Sequence, residues 1–175
     1  MSLGKSRRAG SVMIEFTFIG IPMIFLLISI FEMARGMWLY HTLAYAIKEG
    51  ARFAMVHGHN CDLAPNSCVT TVADVAQRIQ DSGVGLIPEE LQITFESNAG
   101  LRTCTLKPGC LADASRWPPN TDAANAAGLP ITIYGNYPFR SAISMFWPGA
   151  GNIGGGSPGL AYVNFTASSR ETIQF

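Results

Sequence analysis

KSRRAGSVMIEFTFIGIPMIFLLISIF, residues 5–31, is the stretch that decides the architecture of this chain. A basic hexapeptide ends at Gly10, and the apolar run that follows contains a single acidic residue, Glu15. The part from Val12 to Phe31 is 20 residues long. A helix of that length, at about 1.5 Å per residue, matches the roughly 30 Å hydrocarbon core of a bilayer. The stretch therefore predicts one transmembrane helix at residues 12–31.

The charges before the apolar run predict its orientation. Lys5, Arg7 and Arg8 precede it with no acidic residue among them. Because basic flanks remain on the cytoplasmic side, we expect the rest of the chain to be exported. An ordinary secretory signal is a poorer match, since its apolar core is shorter and the best small-residue cleavage site here lies within FEMARG, residues 31–36.

The composition limits the size and type of the protein. A chain of 175 residues can hold a membrane segment and one modest domain. Lys plus Arg and Asp plus Glu number 12 each, and only 14% of the residues are charged. Such sparse, balanced charge does not favour nucleic acid as a partner.

The helix is expected to continue beyond the membrane to about Val56. Between Glu32 and Val56 the only helix-weakening residues are Gly36 and Gly50. Apolar residues recur there at alternating spacings of four and three, which predicts one face packed on the following domain. That predicted stripe consists of Met33, Met37, Tyr40, Ala44, Ile47, Ala51 and Ala54.

Glu15 is unusual because a carboxylate within a spanning helix costs free energy and often has a function. One interpretation is that it lies at the cytoplasmic edge and extends to the headgroups. Another is that it pairs with an amino terminus created by cleavage between Gly10 and Ser11. Glu32 and Arg35 are three residues apart and therefore neighbours on a helix. They form either an ordinary interfacial ion pair or a contact between subunits.

Two groups of residues resemble known proteins. The basic leader with Gly10, Glu15 and Phe16 before an apolar helix is similar to the processing site of type IV pilins and pseudopilins. Further along, the sequence resembles the TadE family of the tight-adherence (Tad) pilus system over roughly residues 7–57. The residues that carry this likeness are Pro22, Glu32 with Arg35, and the block Lys48, Glu49, Gly50, Ala51 and Arg52, where the family more often has Arg at the first position.

The resemblance implies a minor pilin that a prepilin peptidase cleaves after Gly10. Phe16 would help the helix pack in the filament, and Glu15 would set its register against a neighbouring subunit. The implied partners are the major pilin, a second minor pilin, assembly platform proteins and membrane lipid. The implied location is the bacterial inner membrane with a periplasmic C-terminal domain, or the pilus after processing. The alternative is an unprocessed single-pass periplasmic receptor or scaffold.

The four cysteines, Cys61, Cys68, Cys104 and Cys110, lie on the exported side, where disulfides form readily. We expect Cys61 to pair with Cys68 and Cys104 with Cys110, although three connectivities are possible. A zinc site using His57, His59 and the first two cysteines is less favoured because their spacing is unusual for zinc. We therefore expect no metal and no cofactor.

The remaining pattern predicts an α+β head at residues 57–175, after a leader at 1–10 and a stem at 11–56. A short helix is expected over 69–80, and strands over 91–96, 101–106, 131–139 and 162–168. Pro138 is expected to end the third strand or to mark an edge. The glycine-rich segment 149–159 lacks the Lys-Ser/Thr of a phosphate-binding loop. Since the sequence contains no recognisable catalytic group, we expect the protein not to be an enzyme.

Overall fold

The computed structural model describes residues 7–57, 69–119, 126–141 and 162–174. A long helix, α1, covers Arg7–Met55, and a second helix, α2, covers Val72–Ser82. Four strands follow in chain order, with a short 3-10 turn at Cys110–Ala112 between the second and the third. They are β1 (Gln92–Ser97), β2 (Gly100–Thr105), β3 (Pro130–Arg140) and β4 (Tyr162–Thr172). The predicted α+β class, with a long apolar helix before an antiparallel sheet, is confirmed.

The stem helix α1 is 49 residues long and contains Pro22. Its end at Met55 agrees with the predicted end near Val56. The last turn is closed by His57, whose backbone N–H donates to Ala54 O at 3.1 Å and whose Nδ1 lies 2.6 Å from Phe53 O. The helix also includes Gly10 and Ser11, so the predicted scissile bond lies within it.

The head covers the predicted face of α1 near the end of the helix but a different face closer to the apolar segment. Ile47, Ala51 and Ala54 are buried as expected, but Met33, Met37 and Tyr40 are exposed. In this part of α1 the buried residues are Gly36, Leu39 and Leu43. Each precedes by one residue a member of the predicted stripe, namely Met37, Tyr40 and Ala44. Ala46 and Gly50 are buried as well. A shift of one residue rotates the contact face by about 100°. The prediction was therefore wrong for the N-terminal half of the stripe.

Helix α2 begins at Val72, three residues after the predicted start. Thr71 is its N-cap, and the Asp74 backbone N–H donates to Thr71 Oγ1 at 3.2 Å while Thr71 N–H donates to Asp74 Oδ2 at 2.9 Å. This reciprocal capping box fixes where the helix starts. The apolar side of α2 is buried and packs on the C-terminal half of α1.

The sheet has the order β2-β1-β3-β4, and every neighbouring pair is antiparallel. Ser97 pairs with Gly100 across the tight β1–β2 turn, where Gly100 has φ +135°. The inner face carries large apolar side chains that form the core with α1 and α2, including Ile93, Phe95, Ile131, Ile133, Tyr137 and Phe139. The sheet therefore holds the head along the C-terminal half of the stem.

Pro138 does not end β3, so the first of its two predicted roles was wrong, but it does lie at a local edge, where β1 no longer pairs with β3. β3 continues to Arg140 and lies between β1 and β4. The pairing with β1 stops at Asn136, which is opposite Gln92, while the pairing with β4 continues past Pro138. Because β1 pairs no further along this part of β3, proline interrupts no bond to it.

Candidate functional site along the stem helix and its junction with the head

The apolar N-terminal part of α1 has almost no cover from the rest of the subunit. From Val12 to Phe31 every residue is exposed except Gly20 and Ile28, which are half-buried. This is the one helix among the described residues that is long and apolar enough to cross a membrane. Water would be a poor solvent for such a surface, so lipid or neighbouring helices must cover it.

Glu15 and Phe16 lie on this uncovered part of the helix. Glu15 is exposed, and Phe16 has 76% of its surface accessible. A Cβ on Gly20 would lie 3.8 Å from the Phe16 ring, so the ring leans along the helix over the glycine. Both residues therefore lie on the accessible surface of the subunit.

The hydroxyl groups of the apolar segment are satisfied within the helix. Thr17 Oγ1 donates to Met13 O at 2.8 Å, and Ser29 Oγ donates to Phe25 O at the same distance. Each bond satisfies a hydroxyl donor that would otherwise be costly to place in hydrocarbon. The segment is thus suited to lipid in its hydrogen bonding as well as in its composition.

Arg35 connects the stem to the head. Its Nη1 lies 3.5 Å from Glu32 Oε1 and donates to Arg140 O at 3.4 Å. Its guanidinium carbon also lies 5.3 Å from the centre of the Phe139 ring. The ion pair with Glu32 therefore forms within one subunit and supports a contact with the end of β3.

Aromatic rings complete this junction. Phe139 and Phe165 stack with their centroids 5.1 Å apart, and Tyr40 meets Phe165 edge-on at 5.9 Å. Gly36 faces this junction, where a Cβ would make an ordinary 3.5 Å contact with the Phe139 ring. Arg140 Nη2 is 2.9 Å from Glu90 Oε1, which ties β3 to the segment before β1. Sequence alone does not identify Phe139, Arg140, Phe165 or Glu90 as site residues, because they are far from the stem along the chain.

The block Lys48–Arg52 has a structural explanation. Gly50 faces Ile79 of α2, and a Cβ on Gly50 would lie only 2.5 Å from Ile79 Cγ1. Ala51 is buried in the core beside it. Glu49 and Arg52 form an ion pair on the surface, with 3.6 Å between Oε1 and Nη1. The small residues therefore allow close helix packing, while the charged ones remain near solvent.

A disulfide joins Cys104 at the end of β2 to Cys110, with a Cα–Cα distance of 5.4 Å. The expected pairing of Cys61 with Cys68 lies outside the described residues, as does His59 of the alternative zinc site. His57 packs on the Phe53 ring, with 4.5 Å between centroids. Within the described segments, no group of three or more potential ligands could hold a metal ion.

Two titratable groups in the head have shifted pKa values. Burial alone would raise the pKa of Asp113, but hydrogen bonds from Ser115 and the charge of Arg102 lower it overall. Arg102 Nη2 lies 2.8 Å from Asp113 Oδ2. The pKa of Tyr134 is raised, mainly because its hydroxyl donates to Glu96 Oε2 at 2.7 Å. Both groups lie away from the stem's exposed apolar segment.

Residues 10–52 match the family model described as TadE-like protein, which covers about a quarter of the chain. The match begins at Gly10 and includes Glu15, the Glu32–Arg35 pair and the Lys48–Arg52 block. It confirms the resemblance predicted from the sequence and is consistent with a TadE-like protein of a Tad pilus. Neither a curated protein nor a solved structure matches the chain.

Proposed function

We propose that this protein is a minor pilin, or pseudopilin, that takes part in assembling a Tad-type pilus used in adhesion. The observation that carries the proposal is the TadE-like match over residues 10–52, which coincides with the stem helix. The stem supports the proposal physically, because its N-terminal half has an uncovered apolar surface and its C-terminal half packs against a folded head. A subunit of this shape can move from membrane to filament by exchanging lipid for neighbouring helices.

Processing after Gly10 is the first step of the proposal. A prepilin peptidase would cut the bond between Gly10 and Ser11, and the basic leader would remain cytoplasmic. The new amino terminus would lie four residues before Glu15, about one turn along the helix. A carboxylate from one subunit and the amine of another would then reduce each other's cost of leaving water.

The proposed location follows from the same arrangement. The uncleaved protein would span the inner membrane once, with the head and its disulfide in the periplasm, where that bond is stable. Its partners would be the peptidase, the major pilin, a second minor pilin and the assembly platform. Its role would be structural and not catalytic.

Mass spectrometry of the protein purified from its own cells tests processing. The expected N-terminal peptide begins at Ser11, with or without a methyl group. A Gly10→Trp variant is the matched control, because a large side chain at the scissile bond should block cleavage without touching the head. If the native protein retains Met1, the pilin proposal is wrong and an unprocessed membrane receptor or scaffold becomes the better explanation.

A further inference from the structure

We propose that the base of the head is a contact surface for the outer leaflet of the membrane, recognising lipid phosphates and the interfacial layer. The surface, here called the collar, consists of Met33, Arg35, Met37, Trp38, Arg140 and Val163. The inference rests on the proposed insertion of the stem, and it adds that the head lies directly on the bilayer.

The height of the head along the stem is the first argument. The uncharged run ends at Phe31, and contacts with the head begin at Arg35 and Gly36. Four to five residues of helix correspond to about 6–8 Å. The headgroup layer on each side of the hydrocarbon is about 5–8 Å thick. If Phe31 marks the hydrocarbon edge, the lowest part of the head therefore lies at the surface of the headgroups.

The direction of the strands identifies which end of the head faces the bilayer. Gly135 approaches Ile47 and Leu43, whereas Phe139 approaches Gly36, so β3 runs along α1 towards the membrane. Val163 is opposite Phe139 and lies at the same level. At the other end of the head, Gln174 N–H donates to Met55 O at 2.9 Å. Arg140 and Val163 therefore lie at the base.

The chemistry of the collar fits an interfacial layer. Met33, Met37 and Trp38 are 70%, 58% and 63% exposed, and Val163 is also exposed. Tryptophan is favoured at membrane interfaces because its ring is amphipathic. Arg35 and Arg140 are each more than half exposed although they form ion pairs with Glu32 and Glu90. Their guanidinium groups could therefore also reach lipid phosphates.

The distribution of these residues favours a flat layer over a neighbouring helix. At about 100° per residue, Met33, Met37, Trp38 and Arg35 point in directions that span about 200° around α1. The end of the head, at Phe139 beside Gly36, lies on the remaining side. A packed helix would contact only one of these directions. A membrane surface perpendicular to the stem would contact all of them.

Tryptophan quenching in vesicles tests the collar. Trp117 and Trp147 are replaced by phenylalanine in the full chain, which leaves Trp38 as the single tryptophan. The protein is reconstituted into phosphatidylglycerol vesicles that carry bromine either near the headgroup or deep in the acyl chain. We expect quenching of Trp38 by the shallow bromines and little by the deep ones.

Two further variants calibrate the depth, each with Trp38→Phe in the same background. Ile24→Trp places the reporter in the middle of the apolar segment, where deep bromines should quench it. Tyr45→Trp places it about 21 Å beyond Phe31 along the helix, where lipid quenching should be lost. Loss of quenching for Ile24→Trp would contradict membrane insertion itself. If the Ile24→Trp reporter is quenched normally but Trp38 is quenched only by aqueous acrylamide, or by nothing, the collar proposal is wrong while membrane insertion still holds.

The contribution of charge is tested with Arg140→Gln. The shallow quenching of Trp38 is expected to decrease in phosphatidylglycerol vesicles and to depend less on anionic lipid, because only Arg35 of the two collar arginines remains. Arg170→Gln is the matched control, since Arg170 is an exposed arginine that pairs with Thr132 towards the opposite end of the sheet. An equal effect of both variants would show that overall charge, and not the collar, attracts the lipid.

Discussion

Gly50 on the stem helix faces Ile79 on α2 so closely that a Cβ at position 50 would lie 2.5 Å from Ile79 Cγ1 and 2.8 Å from its Cδ1. The two helices can therefore pack at this distance only because residue 50 has no side chain. The same arrangement recurs where the sheet meets the stem, since a Cβ on Gly135 would lie 2.7 Å from Ile47 Cδ1. The head is thus fitted to the stem at two glycine contacts.

Overpacking in Gly50→Ala is expected to cost about 1–3 kcal/mol, because Ile79 or the helix is forced to move. Since alanine also contributes about 1 kcal/mol of stability in a helix interior, the net destabilisation should be up to about 2 kcal/mol. Thermal unfolding of the full chain in detergent measures the difference.

Gly36→Ala is the matched control, since a Cβ there meets the Phe139 ring at an ordinary 3.5 Å. It should be neutral or stabilising. An equal loss of stability in both variants would show that the contact with Ile79 is not the cause.

The length of the stem and the positions of the strands could be predicted because each depends on local sequence. An apolar run without strong breakers gives the helix, and alternation gives the strands. The packed face could not be predicted from apolar periodicity, because the stripe through Met37 and Tyr40 and the stripe through Leu39 and Leu43 are both apolar. Gly50 lies on the covered face, and a glycine inside a long helix was the available signal for close approach there.

The junction with the head was also beyond local sequence reasoning. Arg35 was selected as a partner of Glu32, three residues away, but its contacts with Phe139 and Arg140 join positions more than 100 residues apart. No periodicity links such residues, because the sheet's register sets their proximity. The same is true of Phe165, which is brought beside Tyr40 only by the pairing of β4 with β3.

Removing the disulfide by Cys104→Ser with Cys110→Ser is expected to cost about 2 kcal/mol, since a short loop is released in the unfolded chain. The two cysteines are six residues apart. Denaturant unfolding of oxidised protein, reduced protein and the double variant measures this cost. The double variant cannot form this bond, so breaking the bond by reduction should lower stability only in the native protein. A variant as stable as the oxidised protein would contradict the prediction.

Asp113 is expected to make stability depend on pH in the acid range. Its folded-state pKa is lowered, so the contribution is present above the unfolded value of about 3.9 and is lost as the pH falls through the folded value. Asp113→Asn should reduce stability at neutral pH and flatten the loss below about pH 4. Unfolding curves over this range test the slope, and an Asp113→Asn variant that loses stability as steeply as the wild type would contradict the prediction.

Arg35→Ala is expected to loosen the base of the head by about 1 kcal/mol, through loss of the cation–π contact and the bond to Arg140 O. Hydrogen exchange at the end of β3 should accelerate more than at its start. Arg52→Ala is the control, because Arg52 makes a comparable ion pair with Glu49 and is similarly exposed. If Arg52→Ala has the same effect on β3, the contact with Phe139 is not what holds the strand.

Glu15→Ala is expected to leave cleavage intact and to impair incorporation into the filament. The change lies five residues beyond Gly10 and removes the carboxylate that we propose pairs with a new amino terminus. Cleavage is read from the mass of the N-terminal peptide, and incorporation from the amount of the protein in sheared pili. Glu15→Gln separates charge from size, and it should fail in the same way because an amide cannot neutralise an ammonium group. Normal piliation in both variants would refute the pairing, whereas loss of cleavage would place Glu15 in recognition by the peptidase.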